Sequence, residues 1–184
     1  MAVLVEAAAR VLEERGLAGY TTNAVAERAG TSVGSLYQYF PGKDALTAAL
    51  IERETAVLLA DVGSAAGAPD PRDGLALFIA AAVGHQMRRP SLARLLDFEE
   101  VRLPLGDEVA GVSRTIVASI SALVARLPGT ALADPDEAAA DILAMVKGMV
   151  DAAGERGETA SAGLDARVRR AVFGYLGLAR AEMA

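Results

Sequence analysis

Gly34, Ser35, Gln38 and Tyr39 fall in one short stretch, TSVGSLYQYFPGKDAL at residues 31–46, with Lys43 close behind. Their side chains suit one kind of chemistry. A glutamine amide pairs with an adenine edge through two hydrogen bonds, a phenol or ammonium meets a phosphate, and Gly and Ser permit close approach. The same stretch holds Tyr37, Tyr39 and Phe40, although the whole chain has only four Phe, four Tyr and no Trp. At 3.6 residues per turn, Val33, Leu36, Tyr37 and Phe40 share one face, and Gly34, Ser35, Gln38 and Tyr39 the other. Leu36 and Phe40 are therefore expected in a core and Tyr39 outside, with Tyr37 bordering both faces.

The elements that position these residues are legible around them. Residues 2–15 carry Val3, Leu4, Ala7, Ala8, Val11 and Leu12 at helical spacing, and Gly16 predicts the end of that helix. Thr21 stands where an N-cap belongs, before NAVAERA, and Gly30 closes that short helix. A tight turn then leads into a helix over 33–39. Pro41-Gly42 break it, and Lys43-Asp44 open a long helix to about residue 61. Short helices joined by a Gly-containing turn form a helix-turn-helix unit. In such a unit both helix starts lie against a duplex backbone while the second helix enters the major groove. Lys43 and Thr21 both stand at helix N-termini, where backbone N–H groups favour an anion.

The run EAAARVLEERGLAGY, TTNAVAERAG and SVGSLYQYFPGKDAL closely resembles the N-terminal DNA-binding domain of the tetracycline-repressor-like (TetR) family of bacterial transcriptional regulators. The likeness covers about residues 3–50. It implies a homodimer on a roughly palindromic double-stranded operator, usually a repressor released by a small ligand in its C-terminal body. Carried onto this chain, it implies phosphate contacts by Thr21, Thr22, Tyr37, Tyr39 and Lys43, with Ser32, Gly34, Ser35 and Gln38 near base edges. Two departures stand out. Many relatives carry a basic arm before the first helix, whereas this sequence starts almost at the helix. Residues 1–46 also hold four cations (Arg10, Arg15, Arg28, Lys43) against five carboxylates (Glu6, Glu13, Glu14, Glu27, Asp44). Weak non-specific affinity and a shallow salt dependence are expected from that balance.

The remaining sequence predicts further helices at about 73–88, 91–101, 107–127, 136–153 and 164–182, with residues 62–73 as the one longer loop. The expected architecture is all-α: a DNA-binding head at 1–46 and a ligand-binding and dimerisation body at 47–184. In 164–182 the apolar set Val168, Ala171, Val172, Tyr175, Leu176, Leu178 and Ala179 is wider than the stripe of an ordinary surface helix. In 136–153, Met145 and Met149 join an aliphatic stripe, and Ala144, Gly148 and Ala152 form a second face of small residues. Two helices with two faces each to bury predict a dimer seam, with Ala144, Gly148, Ala152, Val168, Val172, Tyr175 and Leu176 at it. Polar groups on apolar stripes mark the expected effector site. Gln86, His85 and Glu99 play that part beside Phe78, Met145 and Met149, which suits a largely apolar molecule. Arg94 or Arg102 is expected to pair with Glu99.

Composition narrows the function classes. With no cysteine and one histidine, His85, the chain lacks thiolate or multi-His metal sites, and a Ser–His triad is hard to assemble. No nucleophile–base set or phosphate loop is evident, so no enzyme and no cofactor is expected. The absence of a long apolar run or a signal-like start predicts a soluble, cytoplasmic protein with no membrane partner. The net charge of −6 argues against nucleic acid. The acid-leaning balance of residues 1–46 supports a rival reading, a ligand-binding or adaptor protein whose vestigial head does not bind DNA.

Overall fold

Alanine- and leucine-rich runs punctuated by Gly and Pro fold here into helices, because straight-chain and methyl side chains lose little freedom on a helix. The computed structural model describes residues 1–128 and 134–178. Among them the helices are α1 (Ala2–Gly19), α2 (Thr22–Arg28), α3 (Val33–Tyr39), α4 (Lys43–Ala66), α5 (Pro71–Arg88), α6 (Pro90–Arg102), α7 (Gly106–Val124), α8 (Pro135–Glu155) and α9 (Ser161–Tyr175). The expected positions hold throughout, with shifts at the ends. The expected residues 179–182 of the last helix, Ala179 included, lie outside the described residues.

The chain packs as two compact units. The first comprises Met1–Ala56 with Ser91–Gly106, and the second Val57–Pro90 with Asp107–Ala184. The division at 46/47 read from the sequence is therefore not where the packing divides. Leu50 and Ile51 of α4 and Leu92, Leu96 and Leu103 from α6 and its end are buried in the same core as Leu12, Val25, Leu36 and Phe40. Those apolar groups hold α6 and the first half of α4 to α1, α2 and α3.

In this first unit α1 packs on α2 and α2 on α3. Gly16 interrupts α1 with a φ of 61°, so the early stop expected there is a kink, and helix resumes to Gly19. Gly30 (φ 67°) makes the turn between α2 and α3. The Thr31 N–H donates to the Ala26 carbonyl at 3.0 Å and the Gly30 N–H to that of Glu27 at 3.1 Å. This is the left-handed closure that glycine permits without a Cβ penalty.

The second unit is built on α5, α8 and α9, which pack on one another, with Ile116, Ile120, Leu123 and Val124 of α7 in the same core. Most of the expected loop at 62–73 is helical, leaving only residues 67–70 between α4 and α5. Val62 and Ala65 are buried in that core, and their burial carries α4 to Ala66. Asp70 then caps α5 by accepting the Arg72 N–H at 2.7 Å, with Pro71 in the first turn. At Gly74 a Cβ would press on the Leu123 side chain and the Ala65 carbonyl, so α5 approaches its neighbours as only glycine can.

Candidate functional site

Helix α3 has seven residues, and it is anchored at both ends. Ser32 caps it: its hydroxyl accepts the Ser35 N–H at 3.0 Å and lies 2.9 Å from the Ser35 hydroxyl. Leu36 is fully buried and Phe40 nearly so, as their spacing predicts. Gly34, Gln38 and Tyr39 are exposed and Ser35 is half-buried. The two tyrosines present 51% (Tyr37) and 57% (Tyr39) of their surface, enough to meet a partner. Val33 does not join the core face but is 37% exposed, because so short a helix has room to bury little beyond one turn. Tyr37 likewise sits on the outer side, its hydroxyl 3.3 Å from that of Thr22. Thr21 caps α2 by accepting the Ala24 N–H at 3.1 Å.

The start of α4 lies in the same unit and is built with more side chains than the sequence disclosed. The Lys43 ammonium sits 5.6 Å from the centroid of the Tyr20 ring, within cation–π range. The Thr47 hydroxyl lies 2.9 Å from the Lys43 carbonyl and 3.1 Å from the Tyr20 hydroxyl. Burial of Tyr20 pushes its phenol above the ordinary value. Asp44, the next residue of α4, meets Arg102 of α6 at 2.5 Å. That hydrogen bond holds the Asp44 carboxyl below the usual range. Arg102 also reaches Glu99 at 2.6 Å, and Glu99 is only 2% exposed. The expected ion pair of Glu99 thus forms with Arg102. Glu99 belongs to the first unit, and its carboxylate is already engaged there.

The other residues read as an effector site belong to the second unit. Phe78 and Gln86 are buried on α5, and His85 is half-buried beside them. Met145 and Met149 of α8 are partly buried against the same core. The Gln86 Nε2 is buried with no hydrogen-bond partner. It packs over Gly154, where an added methyl would collide with it. A buried donor without an acceptor costs about 1–3 kcal/mol and calls for an explanation.

Of the residues expected at a dimer seam, Ala144 and Gly148 are exposed and Ala152 and Tyr175 half-buried. Val168, Val172 and Leu176 are covered by the core of their own unit, which accounts for the inner half of the wide α9 stripe. Their surfaces serve that core and not an outer face. The Tyr175 hydroxyl donates to Asp141 at 2.6 Å, joining α9 to α8. That bond to a carboxylate pushes the phenol up to about 12. A raised value means the bond stabilises fully below the ordinary 10.0 and is lost as pH climbs through about 12. Ultraviolet titration should therefore find a late-titrating phenol that Tyr175→Phe removes. Loss of a phenol titrating at the ordinary 10.0 in that variant, with the late step left in place, would contradict the bond.

Among the described residues no three His, Asp or Glu gather as a metal site, and no helix is long and apolar enough to cross a membrane. Sequence reasoning missed Tyr20, Thr47 and the bond of Arg102 to Asp44. Thr47 stands four residues after Lys43 and was readable, but Arg102 finds Asp44 across 58 residues.

Comparison with known proteins adds to this geometry. Residues 4–50 match the profile of bacterial regulatory proteins of the tetR family. Residues 70–176 match that of the tetracyclin repressor-like C-terminal domain. An HTH-type transcriptional regulator of Mycobacterium tuberculosis is 32% identical over 122 residues, 66% of this chain and 59% of the relative. The match thus spans less than two thirds of that relative's length. A transcriptional regulator of Rhodococcus sp. Rha1 superposes with a TM-score of 0.80 at 24% identity, covering 96% of this chain and 95% of its own. The fatty acid degradation regulator FadR of Bacillus halodurans does so with 0.75 at 17% identity, covering 94% and 97%. At such identities these two likenesses establish the fold.

Proposed function

We propose that this chain, which belongs to the TetR family of bacterial regulatory proteins, acts as a homodimeric, effector-responsive repressor on a palindromic duplex. The observation that carries the reading is α3: a capped helix anchored by Leu36 and Phe40, with Gly34, Gln38, Tyr37 and Tyr39 left exposed. Gly34 and Ser35 permit entry into a major groove, and Gln38 offers the amide that pairs with an adenine edge. Thr21, Thr22, Tyr37, Tyr39 and Lys43 supply donors for the flanking phosphates, and Ser32 closes the set from the cap position.

Dimerisation through α8 and α9 is supported by the exposed small residues Ala144 and Gly148, with Ala152 and Tyr175 beside them. In the second unit Gln86 offers its unsatisfied amide to an acceptor oxygen on an otherwise apolar effector, near Phe78, His85, Met145 and Met149. Because α4 contributes Lys43–Ala56 to one unit and the rest of its length to the other, an effector acting on it changes the spacing of the two α3 helices. On this reading the division of labour is a head at 1–46 and a body at 47–184, and the protein works in the cytoplasm.

The rival reading, an adaptor whose head is vestigial, is favoured by the acidic balance of residues 1–46. Repeated selection from a random duplex pool at low salt separates the two. The repressor reading expects enrichment of a palindrome with half-sites about one helical turn apart, near 34–36 Å. Failure of a folded dimer to enrich any duplex would leave the adaptor.

A further inference from the structure

The junction of α4 and α6 carries an inference about how the DNA contact is held, and it rests on the DNA-binding reading above. Arg102 engages three carboxylate oxygens. Its Nη2 and Nη1 reach the two oxygens of Asp44 at 2.5 and 3.4 Å. Its Nε and Nη2 reach one oxygen of Glu99 at 3.0 and 2.6 Å. Glu99 is buried and Asp44 is exposed, with 61% of its side chain in solvent. A buried carboxylate has no cheap alternative to its partner, so Glu99 fixes the guanidinium, and the fixed guanidinium fixes Asp44. Asp44 directly follows Lys43, whose ammonium lies over the buried Tyr20 ring and whose carbonyl lies 2.9 Å from Thr47. The first turn of α4 is thus tied both to Tyr20 and, through Asp44, to Arg102 of α6.

We propose that Arg102 and Asp44 are positioning residues for DNA binding: the Glu99–Arg102–Asp44 chain pins the first turn of α4 so that Lys43 stands in register with a phosphate. The side chains of Arg102 and Asp44 act through Lys43 and need not touch the duplex.

Charge alone makes the opposite prediction for one variant. Asp44→Ala removes an acidic group beside the phosphate-binding turn, so plain electrostatics demands tighter binding. Pinning demands weaker binding, although Asp44→Ala leaves the buried Glu99–Arg102 pair intact and the fold supported. The probe is the duplex that the wild-type chain enriches from the random pool, titrated at several salt concentrations. Asp44→Ala should bind about tenfold more weakly, and its log–log salt slope should fall by about one per half-site, the signature of a lost phosphate contact. Asp44→Glu, which keeps a carboxylate within reach of Arg102, should recover most of the affinity. Arg102→Ala is made with Glu99→Gln so that no charge is stranded in the core. It should match Asp44→Ala, and adding Asp44→Ala to it should cost nothing more, since coupled groups fail together. Equal or tighter binding by Asp44→Ala would overturn the proposal while leaving the DNA-binding reading intact. A wild-type chain that enriches no duplex would overturn both.

Discussion

Leu36→Ala should destabilise the N-terminal unit by about 2–5 kcal/mol, the usual cost of deleting a fully buried leucine side chain. Leu36 has no exposed surface, and it lies on the inner face of a seven-residue helix whose other buried anchor is Phe40. A helix that short has little stability of its own, so α3 holds its shape only while it is packed. The expected result is an early melting step of the first unit and loss of duplex binding, while the second unit, with its own core, keeps its helical signal. Thermal unfolding followed by circular dichroism, with duplex titration alongside, checks this. A variant that melts with the wild type would mean that α3 is not held by Leu36.

Gln38→Ala and Tyr39→Phe should separate sequence reading from backbone contact. Both residues are exposed on α3, and neither substitution removes buried surface. A bidentate amide–adenine pair discriminates against a wrong base by about 1–3 kcal/mol. Gln38→Ala should therefore relax the selected sequence at one position in each half-site, with weaker effects on the rest. Tyr39→Phe removes one hydroxyl donor, so it should weaken every duplex by a similar factor and leave the selected sequence alone. Selection repeated with each variant reads both outcomes. If Gln38→Ala selected the wild-type sequence, direct reading by this residue would be wrong.

Both predictions rest on local features, and local features are what the sequence discloses. The cap Thr21, the turn at Gly30 and the break at Pro41-Gly42 act over a few residues, so α2 and α3 stand where the spacing puts them. The class of the fold and the inner and outer positions of Leu36, Phe40, Gln38 and Tyr39 follow from the same periodicity. Val33 and Tyr37 turned outward because periodicity gives a direction but not how many neighbours wait there. The apolar stripe of α6 predicted burial without saying in which core, and it lies with α1 to α4. For the same reason Glu99 appeared as a ligand contact, whereas Arg102 satisfies it and ties it to Asp44. On α9, a wide stripe counted apolar area correctly, but Val168, Val172 and Leu176 face their own unit. Long-range partners of this kind are set by tertiary packing, which residue spacing does not encode.

The central claim is that the outer face of α3 enters a major groove, once per subunit. Methylation protection on the enriched duplex tests it most directly, because the guanine N7 it probes lies on the major-groove edge. Protection of guanines in two major-groove segments about one helical turn apart, lost in Leu36→Ala, is the predicted result. Unprotected major-groove edges on a duplex that the protein demonstrably binds would contradict it.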